Sequence, residues 1–146
     1  MKRARERESG ATAVEFVVLT PLLFLLMFGS VQVGLALFAR HVAISAAQQG
    51  ARTAREQADS PGLDWRGHST TAAKSWVTDL LGDLVDDGPT AQPLAPVPVG
   101  DQNPQVGVSV QFGIATVVPG WTFAFTAQSV GPVECFYTPA GFCNGP

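Results

Sequence analysis

The chain has 146 residues, a net charge of −3 and 46% hydrophobic residues, enough for one membrane helix and one modest domain but too little for two full domains. The charges are unevenly placed: Lys2, Arg3, Arg5 and Arg7 lie at the N-terminus, and the rest of the chain is mildly acidic. This balance excludes the basic surface of a nucleic-acid-binding domain, so no nucleic acid is expected as a partner.

A long apolar stretch follows the basic N-terminus. The 24 residues from Phe16 to Ala39 carry no formal charge, and about 20 apolar residues suffice to cross the hydrocarbon core of a bilayer. The stretch therefore predicts a membrane-spanning helix. Because the basic residues precede it closely, the N-terminus should face the cytoplasm and the C-terminus the outside of the cell. Pro21 lacks a backbone N–H and predicts a kink in this helix.

Three fates of the N-terminus are compatible with this pattern. Signal peptidase would need small residues before its cut, and Gly34 and Ala36 offer them. Alternatively, the helix stays as an uncut anchor. The third fate is a cut ahead of the helix, where Gly10 ends the charged leader and Glu15 stands alone at the membrane edge. A carboxylate drawn into the membrane needs a partner, and the α-amine made by a cut after Gly10 would supply one.

The same residues resemble a known family. A basic leader, Gly10, Glu15 five positions later and an apolar helix are similar to the processing signal of type IV pilin-like proteins. The wider resemblance, to the TadE-like family of pilus-assembly proteins, covers about residues 6–55. It rests on ESGATAVEF at 8–16, PLLFLL at 21–26, FG at 28–29 and GAR at 50–52. Gln48 and Gln49 depart from the charged residues that the family often has before this glycine.

The resemblance implies a minor pseudopilin of a tight-adherence (Flp-type) system. A prepilin peptidase would remove the leader, residues 1–10, by cutting between Gly10 and Ala11. Glu15 and Phe16 would serve recognition and assembly, and Pro21 would shape the helix. The implied partners are the cytoplasmic membrane, the prepilin peptidase, other pilins or pseudopilins and the membrane platform of the pilus machinery, with a separate ATPase as the energy source. The implied location is the bacterial cytoplasmic membrane, as a single-pass protein, or an extracellular pilus.

The helical pattern continues past the membrane, so that residues 11–57 form one predicted helix that projects outwards. Small residues recur on its outer part at spacings of three and four: Ala43, Ala46, Ala47, Gly50, Ala51 and Ala54. Such a stripe lets another backbone approach closely. It would pack either on the chain's own outer domain, which we favour, or on another subunit.

Residues 58–146 are expected to form a small extracytoplasmic domain, which makes the fold class α+β. Ser60-Pro61-Gly62 ends the first helix, and a loop is expected up to Thr70. An amphipathic helix of about 15 residues should follow, capped by Thr70 or Thr71. Its apolar side chains are Ala73, Trp76, Val77, Leu80, Leu81 and Leu84. Asp86 and Asp87, followed by Gly88-Pro89, are expected at its end.

The second half of this domain predicts a short antiparallel β-sheet. Residues 89–104 are rich in proline and predict an extended connection. Alternating side chains then predict one strand from Val106 to Phe112 and another from Phe123 to about Val130, joined by a turn at Pro119-Gly120. Because two strands alone are marginal in water, they should pack on the helix around Trp76.

The sequence contains two cysteines. Cys135 and Cys143 lie eight positions apart, and in an extracytoplasmic segment the simplest outcome is one disulfide. The alternative is two free thiols. A pair with this spacing does not make a metal site, because structural zinc takes four ligands.

No pattern of a catalytic site emerges. The chain has no phosphate-binding loop, no nucleophile-elbow motif and no helix that bears two histidines. His41 and His68 are expected to be solvated or capping, and Asp79 and Asp83 to form a solvated helix face. We therefore expect no enzyme activity, no cofactor, no metal and no small-molecule substrate.

Three functions remain from the sequence. The first is the pseudopilin-like component described above. The second is an uncleaved, membrane-anchored extracellular binding or adhesion domain, which would keep residues 1–10. The third is a secreted domain, with or without enzyme activity, that signal peptidase releases and that would lack the apolar stretch.

Overall fold

The computed structural model describes the backbone of residues 2–60, 62–97, 104–116 and 122–134, and the side chains of these from Ala13 onwards except at 95–97. These residues form two helices, a short 3-10 turn and a three-stranded antiparallel sheet. The predicted α+β class is confirmed. The chain divides into two compact units, Met1–Leu35 and Ala36–Pro146.

The first helix, α1, runs from Lys2 to Gln57 and therefore begins ahead of the expected start at Ala11. It continues through Pro21. After Gln57 the backbone N–H of Ala58 still donates to the Ala54 carbonyl at 2.9 Å, in a final turn. Leucine and alanine are frequent along α1, and these residues lose little side-chain entropy in a helix.

The small-residue stripe of α1 packs on other elements of the second unit, within the same chain, as we favoured from the sequence. Ala43, Ala46 and Ala54 have at most 1% of their surface exposed. A β-carbon built at Gly50 would lie 2.9 Å from the Ser69 carbonyl oxygen, 3.0 Å from the Ala73 Cβ and 3.2 Å from the Val108 Cβ. The backbones approach so closely here because glycine carries no side chain.

The second helix, α2, spans Trp65–Leu81 and corrects the predicted loop up to Thr70. Asp64 caps its start, because its Oδ1 accepts a hydrogen bond from the Gly67 N–H at 3.0 Å. Thr70 is not the cap, since its hydroxyl donates to the Arg66 carbonyl inside the helix. Gly67 and His68 made this segment look like a loop in the sequence. The Asp64 cap nevertheless stabilises the start of a helix here.

The end of α2 also differs from the prediction. Gly82 has a φ of 51° and its N–H donates to the Thr78 carbonyl, which ends the helix at Leu81. A 3-10 turn, Gly82–Leu84, follows. Asp86 and Asp87, expected at the helix end, belong to the first strand instead.

Only part of the predicted apolar face of α2 is buried. One row at i, i+4 spacing faces the core: Trp65, Ser69, Ala73, Val77 and Leu81. The expectation was wrong for Trp76, Leu80 and Leu84, which keep 40%, 47% and 46% of their surface exposed. Helical spacing reports how wide an apolar face is but not how much of it the rest of the chain covers.

Three strands form the sheet in the order β1-β2-β3: β1 is Val85–Val97, β2 is Gln105–Ala115 and β3 is Thr122–Pro132. Both neighbouring pairs are antiparallel. Every second residue of β2 is buried beneath the helices, at Val106, Val108, Val110, Phe112 and Ile114. The sheet contacts α2 through β1 and β2, so the expected packing of the strands on this helix is found.

The additional strand comes from the proline-rich stretch. The part of β1 after Gly88 pairs with β2 from Thr90 to Leu94 although it contains Pro89 and Pro93. Proline is compatible with an edge strand, because one side of such a strand needs no ladder hydrogen bonds. The register shifts between Asp86 and Thr90, where Asp87 and Gly88 both adopt positive φ.

Candidate functional site

The candidate site is the anchor segment, which we define as residues 16–39 of α1. Its large apolar side chains, apart from that of Leu35, are exposed and lie on all faces of the helix: Phe16 and Leu25, for example, keep 70% and 67% of their surface. The most apolar window of this helix has a mean hydropathy of 2.2, and only 6% of it is buried by the chain itself. The helix is long and apolar enough to cross a membrane, and it fits a single-pass membrane protein.

The hydroxyl of Ser30, a polar side chain within the anchor segment, is satisfied locally. The Ser30 hydroxyl donates to the Met27 carbonyl at 2.8 Å, a bond inside the helix that needs no water. Phe24 and Phe28 stack one turn apart, with ring centroids 6.1 Å from each other. The segment can therefore lie in a hydrocarbon environment without leaving the Ser30 hydroxyl lacking a hydrogen bond.

Glu15 stands at the N-terminal end of the anchor segment. Between it and Arg40 the sequence contains no charged residue. Its side chain is exposed, and Phe16 beside it is the most exposed large apolar side chain among the residues whose side chains are described. A carboxylate placed next to an apolar helix in this way either reaches water or takes a cationic partner from outside the described part of the chain.

The other predicted site residues are placed as follows. Gly10 and Ala11 lie within the helical backbone of α1, and Pro21 is inside the same helix without a break. Cys135 and Cys143 lie outside the described residues. Cleavage, the kink and the disulfide therefore stay predictions.

The second unit contributes two exposed helix faces that sequence reasoning missed. One is the α2 ridge, which we define as Trp76 and Leu80 with Leu84 in the following turn. The other is the α1 stripe, defined by exposed residues at i, i+4, i+7 and i+11: Leu37, His41, Ile44 and Gln48. The apolar members of both faces could be found by spacing, but the pattern does not reveal that they remain uncovered.

Charged groups of the second unit are mostly at its surface. Arg52 Nε donates to Glu56 Oε1 at 2.8 Å, one turn away. This hydrogen bond and the charge of Glu56 raise the pKa of Arg52 above its ordinary value. His68 Nδ1 lies 2.7 Å from Gln57 Oε1 and so joins α2 to the end of α1. Within the described residues, no group of three His, Cys, Asp or Glu side chains is placed to hold a metal ion.

Comparison with known proteins adds one finding. Residues 10–52 match the model of the TadE-like protein family, which confirms the resemblance found in the sequence and leaves most of the second unit outside the match. Neither the curated proteins nor the solved structures contain a match to the chain. The matched region contains Glu15, the anchor segment and Gly50. This match suggests a role in Tad pilus systems, and the family is one of structural pilus components.

Proposed function

We propose that this chain is a pseudopilin-like structural or assembly component of a tight-adherence (Flp-type) pilus. A prepilin peptidase trims it, and it assembles through its N-terminal hydrophobic helix. The observation that carries the proposal is the exposed anchor segment with Glu15 at its entrance, inside the region that matches the TadE-like family.

The exposed apolar surface of the anchor segment supports an environment other than water. Burying a valine, leucine, phenylalanine or methionine side chain stabilises a protein by about 1.5–3 kcal/mol, and more than a dozen such side chains are exposed between Val14 and Phe38. Two surroundings remove that surface from water: the acyl chains of a bilayer and the helices of neighbouring pilins. A pseudopilin uses the first before assembly and the second after it.

Glu15 supports the processing step. Cutting between Gly10 and Ala11 would create an α-amine, normally protonated at neutral pH, four positions before Glu15. This amine on a neighbouring subunit neutralises the carboxylate as the helices come together. An uncut leader leaves the N-terminus ten residues further away, with four basic side chains attached.

The first test is the N-terminal sequence of the protein isolated from membranes of its own host. We expect it to begin at Ala11, and to begin before Gly10 when the prepilin peptidase is deleted. Gly10→Val should give at least a tenfold loss of the trimmed form, because a branched side chain obstructs the scissile bond. Gly29→Val is the matched control, since nothing lies within 4 Å of a β-carbon there, and should be trimmed normally.

Other N-termini would contradict the proposal in different ways. Retention of residues 1–10 in the wild-type protein would favour an uncleaved, membrane-anchored binding or adhesion domain, and no variant would then be trimmed. A start beyond Ala36 would indicate a secreted domain.

Glu15→Ala is expected to leave trimming and membrane insertion unchanged but to reduce incorporation into sheared filaments at least tenfold. The reason is that the neighbouring amine loses its counter-charge within an apolar surrounding. Glu15→Gln keeps the shape without the charge and should behave like Glu15→Ala. Quantitative immunoblots of the filament and membrane fractions measure both variants. Normal incorporation of Glu15→Gln would exclude a role for the charge.

A further inference from the structure

The second unit forms an open basin, which is lined mostly by α1. Trp76 of α2 and Ser129 of β3 contribute to its lining. The α1 residues of the lining recur at helical spacing and so share one face of the helix: Ser45, Gln48, Gln49, Arg52 and Arg55. The basin has a volume of about 550 Å³, within the range of about 300–1,000 Å³ that is usual for small-molecule sites.

Arg55 of this basin is held against the third strand. A β-carbon built at Gly131 would lie 2.8 Å from the Arg55 Cδ and 3.0 Å from its Nη1, so the arginine lies along a strand backbone that carries no side chain there. The Arg55 carbonyl also accepts a hydrogen bond from the Glu134 N–H at 3.2 Å. Because these contacts position the side chain in advance, less conformational entropy is lost when a ligand binds to it.

The charge of Arg55 is not balanced by the described part of the chain. Its Nε is buried and has no hydrogen-bond partner there, and no described carboxylate forms an ion pair with it. Arg52 differs, because its Nε lies 2.8 Å from Glu56 Oε1. A partly buried cation without a partner is unfavourable, so an anion bound beside Arg55 would be stabilised.

The remaining polar side chains of the basin are neutral. Ser45, Gln48, Gln49 and Ser129 carry groups that both donate and accept hydrogen bonds, and none of these side chains is hydrogen-bonded within the described residues. Trp76, with 40% of its surface exposed, adds a broad aromatic face. Sugar hydroxyl groups also donate and accept, and the C–H face of a sugar ring is apolar, so this lining is complementary to a saccharide.

A single unpaired cation favours a ligand with one negative charge. A phosphate monoester carries a charge of about −1.5 to −2 at neutral pH, and the charges of Glu56 and Glu134 both act on Arg52 beside it, which opposes further negative charge. A carboxylate carries one charge and can accept two parallel hydrogen bonds from a guanidinium. It therefore matches Arg55 better than a phosphate does.

A peptide is less complementary to this lining than a saccharide. The apolar side chains of a bound peptide need apolar pockets, as in other peptide-binding grooves. Among the described residues that line the basin, Trp76 is the only large apolar one. The lining therefore favours a ligand rich in hydroxyl groups.

We infer that this basin binds a saccharide that carries a carboxylate, such as a hexuronic acid. Arg55 pairs with the carboxylate, Trp76 stacks on a sugar ring, and Gln48 and Gln49 hydrogen-bond to its hydroxyl groups. The described lining has neither a carboxylate nor an imidazole to transfer a proton, so the saccharide is bound without being converted. The inference does not depend on trimming or assembly, because the whole lining belongs to the second unit.

Isothermal titration calorimetry of the full-length protein in detergent tests this binding. The probe is the disaccharide of glucuronate and N-acetylglucosamine, which has a single carboxylate, and its methyl ester is the neutral match. The acid should bind at least tenfold more tightly than the ester, because the ester cannot form an ion pair with Arg55.

Variants of the basin test the roles of its residues. Arg55→Gln should weaken binding of the acid at least tenfold and leave binding of the ester unchanged. Arg40→Gln is the matched control, since Arg40 is exposed and does not line the basin, and should bind like the wild-type protein. Because Arg55 also packs on Gly131, the Tm of each variant is measured as well. Gln48→Ala changes an exposed residue and should weaken binding of both the acid and the ester severalfold.

Several results would overturn the inference. They are no measurable binding of the disaccharide, equal binding of the acid and its ester, or equal effects of Arg55→Gln and Arg40→Gln. Tighter binding of triglutamate would assign the basin to an acidic peptide, and tighter binding of glycerol phosphate would assign it to a phosphate-bearing ligand. Any of these results in a protein that is normally trimmed and assembled would refute the saccharide site alone.

Discussion

Replacing Leu25 and Phe28 together by arginine is expected to release the protein from the membrane. Both residues lie near the middle of the anchor segment, and both are exposed on α1. Moving a leucine or phenylalanine position to arginine at the centre of a membrane helix costs about 3–4 kcal/mol on insertion scales. Two such changes cost about 7 kcal/mol, which shifts the insertion equilibrium by several orders of magnitude.

The measurement is the fraction of protein that stays in the membrane pellet after alkaline carbonate extraction. The wild-type protein should stay in the pellet, and the double variant should appear in the supernatant or be degraded. Ser75→Arg with Thr78→Arg adds the same charge to exposed positions of α2 and should remain in the pellet. If the Leu25 and Phe28 variant also remained, another part of the chain would be its anchor.

Gly50→Leu is expected to destabilise the second unit without removing the protein from the membrane. A β-carbon at this position already approaches the Ser69 carbonyl oxygen to 2.9 Å, and a backbone atom cannot rotate away. Inserting a larger side chain into a packed core costs about 1–3 kcal/mol or more, and the better helix propensity of leucine returns less than about 1 kcal/mol. The net loss should be about 2 kcal/mol.

Thermal unfolding of the full chain in detergent measures this effect. For a domain of this size, 1 kcal/mol corresponds to about 4–8 °C in Tm, so a decrease of about 10 °C is expected. Tryptophan fluorescence is the suitable signal, because Trp65 lies in the core cluster with Ala54 and Ala58. Gly34→Leu is the control, since no atom lies within 4 Å of a β-carbon there. An equal Tm for the Gly50→Leu and wild-type proteins would show that the helices do not pack as described.

Features encoded by neighbouring residues were predictable from the sequence. The anchor segment depends only on a continuous run of uncharged residues, and the Gly10 to Glu15 spacing can be counted directly. The small-residue stripe from Ala43 to Ala54 follows from helical periodicity, since residues three and four apart share a face. The family match at residues 10–52 falls in the same region.

Features that depend on a distant part of the chain were not predictable from the sequence. The proline-rich stretch became β1 because β2 supplies its hydrogen-bonding partner, as in the pairing of Thr90 with Gln111. Proline content alone argued for a connection, and only an edge position in the finished sheet makes Pro93 acceptable.

The sequence by itself determined that this chain has a membrane-length apolar helix, a lone carboxylate at its entrance and an α+β unit beyond it. Each of these follows from local composition and spacing. Tertiary structure alone decided that Ala73 and Val77 are covered while Trp76 and Leu80 are not. The physical reason is that burial depends on where α1 and the sheet end, and one helix's periodicity carries no information about the extent of its neighbours.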